Sequence, residues 1–356
     1  MSKKTKAICL NNFSSTATLA NNEVSVPLGS QDTLNEKDYD PYEHRNVLHP
    51  NTYFGALVHL LKCSLGAGIL AIPRAFKASG LAVGVIGTIF IGILCTYTIH
   101  ILMVASLKMC KLTKKPALDF SETIFEIVKH GPKGCRKYAR SAKIFVESGL
   151  LLSYYVGGIG SIFPLEKTMI KPQFLGCFGV LNVTMTLITI MYLCMGFFGY
   201  LAFGEVTEAT ITKNLPVEEV VAQVAKWCIS LAVFFTFMLM FYVPIDITWR
   251  KISGHISEKR HNLSQFSLRT GIVIFATCIA IFAGEHLGPL IELVGAIFLS
   301  TLGLMVPAIM DTLINWDNLG CFYWKFWKNL VISIFGLFGA VAGSYYAILS
   351  MVNEES

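Results

Sequence analysis

Long blocks of uncharged apolar residues alternate along this chain with short polar segments, and this alternation restricts its fold more than any other feature. Hydrophobic residues make up 54% of the 356 residues and charged residues only 15%, against about 25% in soluble globular proteins. A helix needs about twenty apolar residues to cross the hydrocarbon core of a bilayer. Eight blocks approach this length, near residues 53–76, 81–107, 138–156, 177–203, 220–247, 269–284, 288–314 and 329–351. We therefore predict an all-α integral membrane protein, a multi-span helical bundle of about eight spans within residues 51–352.

The first fifty residues differ from the rest of the chain in composition. They are rich in Ser, Thr, Asn and charged residues and contain no apolar run. Such a segment cannot bury enough apolar surface to fold, and it lacks the apolar core of a secretory signal. We predict that residues 1–50 form a disordered cytoplasmic tail.

Basic residues are concentrated in two of the loops. Residues 108–143 carry ten Lys and Arg against three acidic residues, and residues 250–269 carry five against one. Residues 204–219 carry one Lys against four Glu. Because cytoplasmic loops of membrane proteins are enriched in Lys and Arg, the first two loops are predicted to be cytoplasmic and the third external.

Several classes of function are disfavoured by the same composition. The net charge of +6 comes from loops between apolar blocks and not from a basic face on a soluble domain, so we expect no nucleic-acid partner. Most of the ten cysteines lie inside apolar blocks, and no Cys/His spacing suggests a metal site. The sequence contains neither a nucleophile in a catalytic spacing nor a phosphate-binding loop, so we do not expect an enzyme. Membrane lipids are the expected surroundings.

The first apolar block contains the most informative motif, Gly66-Ala67-Gly68. Glycines in the middle of a span favour a broken helix, which lipid tolerates only where the freed backbone lines a cavity. The second half-helix then offers free N–H groups and a positive dipole end to a carboxylate. The same small residues also suit a packing groove between two helices, and the spacing alone does not decide between the two.

His59 lies two turns before this motif, inside the apolar block. Ionisable groups within a span are unfavourable, and histidine titrates near neutral pH, so a role in proton coupling is reasonable. The alternative to proton coupling is that the His59 ring only hydrogen-bonds a neighbouring carbonyl.

Several stretches resemble proton-coupled amino-acid transporters of the amino-acid/auxin permease group. The run from His59 to Pro73 resembles the first span of that family, and Asp40–His44 resembles the lead-in of its insect-type members. Gly158–Lys167 resembles the end of the sixth span. Further matching stretches, in the same order, are Phe234–Thr236, Phe241–Pro244, Leu293–Gly295 and Val306–Pro307.

The resemblance implies a leucine-transporter-type fold of two inverted repeats, with part of the first repeat and the start of the second missing. The third span passes directly into the end of the sixth, near Tyr155–Gly157, so spans four, five and most of six are absent. It also implies proton-coupled symport of small neutral amino acids across the plasma membrane or a lysosomal or endosomal membrane. Protons would be the coupling ion, with no other cofactor.

The resemblance assigns roles to individual residues. The backbone at Gly66, Ala67 and Gly68 would bind the carboxylate, and His59 would couple protons. The facing half-site would be Gly158, Ile159 and Gly160.

The absence of an odd number of spans creates a conflict of topology. The loop charges are satisfied only if residues 138–176 make no net crossing, so the third span is expected to be lost, re-entrant or turned back. We therefore expect poor transport by this chain alone. The alternative function is a non-transporting regulatory or binding product that forms a homo-oligomer or associates with a full-length copy.

Overall fold

The computed structural model of the chain describes residues 39–47, 50–65, 67–154, 162–169, 173–208, 210–216, 218–257, 260–283 and 287–354. Over these ranges the chain forms helices joined by turns and contains no strand. The α-helices are α1 (Tyr53–Leu65), α2 (Ile72–Ser79), α3 (Leu81–Thr113), α4 (Phe120–His130), α5 (Ala139–Tyr154), α6 (Ile162–Lys167), α7 (Val180–Phe203), α8 (Ile211–Asn214), α9 (Val220–Ile252), α10 (His261–Ala283), α11 (Leu287–Ser300), α12 (Val306–Ile314) and α13 (Trp324–Glu354). The protein is an all-α integral membrane bundle, as the apolar blocks predicted.

Helices lie over all eight predicted spans, but they differ in length and composition. Four helical segments in the described part of the chain are long and apolar enough to cross a membrane, and the bent pair Tyr53–Leu65 and Gly68–Ser79 makes a fifth if it counts as one span. The four segments are Leu81–Thr113, Val180–Val206, Gly288–Ile314 and Trp324–Val352. The total of eight crossings stays a prediction.

Helix α7 runs parallel to α1 and α2. The Tyr53 hydroxyl donates to the Phe178 carbonyl at 2.8 Å where both begin, and Gly199 lies against Pro73 near the other end. Small residues on α7 permit this close approach, because a side chain at Gly199 would overlap the Pro73 ring. We call the side where α1 begins the near side and the side where α2 ends the far side.

Helix α3 returns from the far side to the near side. Gly84 lies against Phe76 of α2, and Gly92 lies farther along against Thr189 of α7. After α3 ends, α4 begins with a capping box in which the Asp119 and Glu122 side chains bond backbone N–H groups. Such a box satisfies two of the N–H groups that a helix start leaves unpaired.

A buried arginine joins the near-side segments. The Arg45 side chain is 2% exposed and lies 2.7 Å from the Glu166 carboxylate. It also donates to the Glu166 and Met169 carbonyls at 2.9 Å each and to the Pro116 carbonyl at 3.1 Å. The guanidinium carbon lies 4.3 Å from the centroid of the Tyr42 ring, and burial raises the pKa of the Tyr42 phenol, which keeps the ring neutral.

This packing corrects the predicted extent of the tail. Residues 39–47 belong to the segment expected to be disordered, yet Tyr42 and Arg45 are buried. The reason is that Arg45 finds its acceptors about 120 residues farther along the chain, where the composition of the tail gives no sign of them. Residues 1–38 lie outside the described residues.

The same contacts place α6 on the near side. Asn51 bonds Thr168 through its backbone N–H at 3.0 Å and through its side-chain amide at 2.8 Å. Lys167 forms an ion pair with Asp119 at the start of α4. The chain after α5 therefore lies beside the start of α1 and the end of α3.

Helix α5 enters the bundle only in its second half. Its Glu147 accepts a hydrogen bond from Ser121 of α4 at 3.3 Å, so the first half of α5 lies beside α4 on the near side. The remaining residues, 148–154, rise only about 10 Å at 1.5 Å per residue, and Gly149 lies against Leu302. Helix α6 is again on the near side, where Lys167 pairs with Asp119. The expectation that residues 138–176 make no net crossing stays a prediction, because residues 155–161 and 170–172 lie outside the described residues.

Candidate functional site

The first span is broken where the glycine motif predicted. Helix α1 ends at Leu65, a 3-10 segment covers Ala67–Ala71, and α2 begins at Ile72 with Pro73 in its first turn. The two arms are bent by 46°. Glycine resists continuous helix, and proline fits the first turn because the N–H it lacks would have no partner there. The change from α-helix to 3-10 helix at Ala67 confirms the prediction of a broken first span.

A tyrosine on α7 stabilises the broken end of α1. The Tyr192 hydroxyl lies 3.3 Å from the Ser64 carbonyl and 3.4 Å from the Leu65 carbonyl, and it can donate to either. These carbonyls belong to the last turn of α1, where the helix provides no partner. Tyr192 was not among the predicted site residues, because its only signal in the sequence is a hydroxyl group inside an apolar block.

The backbone beside this tyrosine is open. Gly68 is exposed, and among the described residues a Cβ atom placed on it would meet only the Tyr192 hydroxyl, at an ordinary contact distance of 3.6 Å. Ala67 contributes the first residue of the 3-10 segment. Of the three predicted carboxylate-binding residues, Gly66 lies outside the described residues.

His59 is not brought to this site by the fold. His59 is exposed on α1, as are Val58 beside it and Lys62 one turn later. No described residue hydrogen-bonds the His59 ring, which leaves its predicted role in proton coupling open. Gly158, Ile159 and Gly160 lie outside the described residues, so the predicted facing half-site stays a prediction.

Two polar contacts tie the ends of the spans together. Arg74 of α2 lies 3.7 Å from Glu292 of α11, with both side chains partly exposed. Near the start of α13, the Asp311 carboxylate accepts from Lys328 at 3.0 Å and from Asn329 at 2.9 Å. Both acids therefore have a cationic neighbour. In the described ranges no three His, Cys, Asp or Glu side chains are grouped as metal ligands would be.

Replacing Tyr192 by phenylalanine tests the contribution of the hydroxyl to the break. The resemblance implies that the break binds an amino acid, and we then expect the Tyr192→Phe protein to bind it several-fold more weakly, because an intramolecular hydrogen bond contributes about 1 kcal/mol. Equilibrium binding of radiolabelled alanine to the purified chain would measure the change. Tyr200→Phe is a matched control, since Tyr200 is also on α7 but donates to Glu205 at the far end. Equal loss in both variants would contradict a specific role for Tyr192.

A bundle of apolar helices whose first span breaks around open backbone is typical of membrane transporters of the broken-helix class. The chain belongs to the transmembrane amino acid transporter family, whose family model, described as "Transmembrane amino acid transporter protein", matches residues 49–158 and 152–349. It is therefore a multi-pass membrane protein of an amino acid transporter family.

Curated relatives agree with this assignment. The chain is 30% identical to "Proton-coupled amino acid transporter-like protein pathetic" of Drosophila melanogaster, over 92% of this chain and 91% of that protein. It is also 30% identical to "Amino acid transporter AVT3C" of Arabidopsis thaliana, over 55% of this chain and 42% of that protein. No solved structure matches the chain.

The comparisons also bear on the absent block. The two segments matched by the family model meet at residues 152–158, where the sequence analysis placed the junction. The alignment with the Drosophila protein covers 430 positions, whereas 92% of this chain is only about 330 residues. About 100 aligned positions therefore have no counterpart here. This length suits the absence of spans four, five and most of six, since each span needs about twenty residues.

Proposed function

We propose that this chain carries the substrate-binding break of a proton-coupled symporter of small neutral amino acids. The observation behind the proposal is the break between Leu65 and Ala67, with open backbone at Gly68 and a hydroxyl donor from Tyr192. Free N–H groups at the start of the second arm suit a carboxylate, and the carbonyls at the end of the first arm suit an ammonium group. An amino acid presents both groups from one carbon atom.

The residues beside the break favour a substrate with an uncharged side chain. In the described part of the chain, the side chain that hydrogen-bonds the broken end belongs to Tyr192, which is uncharged. A charged substrate side chain would find no charged partner among the described side chains that bond the broken end, and it would carry a large desolvation penalty. The small residues Ala67 and Gly68 favour a substrate with a short side chain.

We also propose that the protein resides in the plasma membrane or in a lysosomal or endosomal membrane.

A second candidate is a non-transporting chain that associates with a full-length copy. It is favoured by the absent block of about 100 positions and by the exposed face of α1. Phe54 is 72% exposed and Val58 is 45% exposed on that face, beside His59. In a complete transporter of this type the first span packs against the sixth, which is mostly absent here. Another copy could supply the missing helices.

Binding and coupling can be tested on the purified chain. We expect glycine and alanine to displace bound radiolabelled alanine, and glutamate and lysine to fail to do so. We also expect tighter binding at pH 5.5 than at pH 7.5 by about threefold or more, because in a proton-coupled symporter proton binding and substrate binding favour each other. His59→Gln should remove this pH dependence.

His100→Gln is the control for His59, because His100 is also a histidine within a membrane helix, α3. An unchanged pH profile in His59→Gln would assign proton coupling to another group. Equal displacement by glutamate would contradict a neutral substrate. Binding without net uptake would favour the second candidate over symport by this chain alone.

A further inference from the structure

The turn between α4 and α5 carries the largest uncompensated charge in the described residues. We call residues 129–143 the basic hairpin. Its six cationic residues are Lys129, Lys133, Arg136, Lys137, Arg140 and Lys143, and no Asp or Glu occurs from residue 127 to residue 146. The positive-inside rule accounts for the side on which the hairpin lies, but it does not require this density of charge.

The fold holds these cations together on one turn. The Lys129 and Lys143 ammonium groups lie 5.9 Å each from the centroid of the Phe125 ring, so the two ends of the hairpin share one side of α4. Arg136 donates to the Gly131 carbonyl at 2.9 Å and closes the turn. The hairpin is therefore a defined surface.

Acidic residues near the hairpin are already engaged. Glu126 is buried and paired with Lys115 at 2.9 Å, and Glu147 accepts from Ser121 and lies 3.8 Å from Lys143. Three of the six cations are exposed and form no ion pair with any residue in the described ranges. These exposed cations are Lys133, Lys137 and Arg140.

Apolar side chains continue from the exposed cations onto α5. Tyr138 is 57% exposed, with the Lys137 ammonium group 4.9 Å from its ring centroid. Ile144 and Phe145 follow, 57% and 52% exposed. Aromatic residues are typical of the boundary between headgroups and acyl chains. The hairpin thus lies where a cationic surface meets a lipid-facing one.

We infer that the basic hairpin binds the headgroups of anionic phospholipids in the inner leaflet. Lys133, Lys137 and Arg140 bind the headgroup phosphates and carboxylates, and Tyr138 and Phe145 contact the acyl chains. Clusters of four to eight basic residues beside a span bind anionic lipids through their combined charge. The adjoining apolar face favours a lipid over a free anion or an acidic soluble partner, because neither of these would cover it.

The test uses the purified full chain reconstituted in phosphatidylcholine vesicles that contain a trace of spin-labelled phosphatidylserine or phosphatidylcholine. Electron paramagnetic resonance measures the fraction of each lipid whose motion the protein restricts. We expect phosphatidylserine to be preferred by about threefold or more at low salt, and the preference to fall as salt screens the charges. The triple variant Lys133→Gln, Lys137→Gln and Arg140→Gln should lose most of it.

A control variant removes the same charge elsewhere on the predicted cytoplasmic side, with Lys111→Gln, Lys114→Gln and Arg260→Gln. It should keep the preference. Equal loss in both triple variants would show that net charge, not the hairpin, attracts the lipid, and it would overturn the inference. Loss of the preference on adding millimolar inorganic phosphate, with ionic strength held constant, would also overturn it, because the site would then bind a free anion. None of these measurements depends on amino-acid binding.

Discussion

Arg45→Gln is expected to be among the most destabilising single substitutions in this chain. It leaves the Glu166 carboxylate buried and without its cation, and it leaves the Glu166, Met169 and Pro116 carbonyls without their donor. Removing one member of a buried ion pair costs about 3–5 kcal/mol. We therefore expect the purified Arg45→Gln protein to melt well below the wild type in detergent. A cysteine placed at Thr168 should also react about tenfold or more faster with a maleimide, because α6 is released from the near side.

The charge-swapped protein separates the effect of losing the ion pair from a general effect of the substitutions on folding. Combining Arg45→Glu with Glu166→Arg keeps both charges and should restore part of the stability that either single substitution removes. Arg136→Gln is a matched control, because Arg136 makes a single described bond, to the Gly131 carbonyl, at a partly exposed site. An Arg45→Gln protein as stable as the control would show that the contact does not hold α6. A double variant that is no more stable than either single variant would show the same.

The broken span could be predicted from the sequence because its causes are local. Gly66, Gly68 and Pro73 act on the backbone within a few residues of themselves, and the helix indeed stops at Leu65. The apolar blocks were equally readable, since length and hydropathy are properties of a continuous stretch. The class of protein followed from these two features.

The contacts that complete the site are not local. Arg45 bonds residues 121 and 124 positions away, and Tyr192 bonds carbonyls 127 and 128 positions away. Neither side chain belongs to a periodic pattern, and each has ordinary neighbours in sequence. Only the parallel packing of α7 on α1 and α2 brings Tyr192 to the break. The exposed surroundings of His59 were also unpredictable, because they depend on which helices pack against α1.

The orientation of the C-terminal half in the membrane predicts a large difference in labelling from outside the cell between residues 204–219 and residues 250–269. Helix α7 runs parallel to α1 and α2, so its end lies on the far side, and Lys77 donates to the Thr207 carbonyl there at 3.4 Å. The near side carries the basic loop after α3, which the positive-inside rule places in the cytoplasm. Residues 204–219 should then be external, and residues 250–269 should be cytoplasmic at the end of α9.

Single cysteines at Thr210 and Ser257, in a background without the ten native cysteines, test this orientation. A membrane-impermeant maleimide applied to intact cells should label position 210 and leave position 257 unmodified until the cells are permeabilised. The reverse pattern would show an inverted C-terminal half, with five basic residues outside. The same protein should show little proton-driven amino-acid uptake in proteoliposomes, because the absent block of about 100 aligned positions would include the spans that face α1. Robust uptake by the purified chain alone would contradict that expectation while leaving the measured orientation intact.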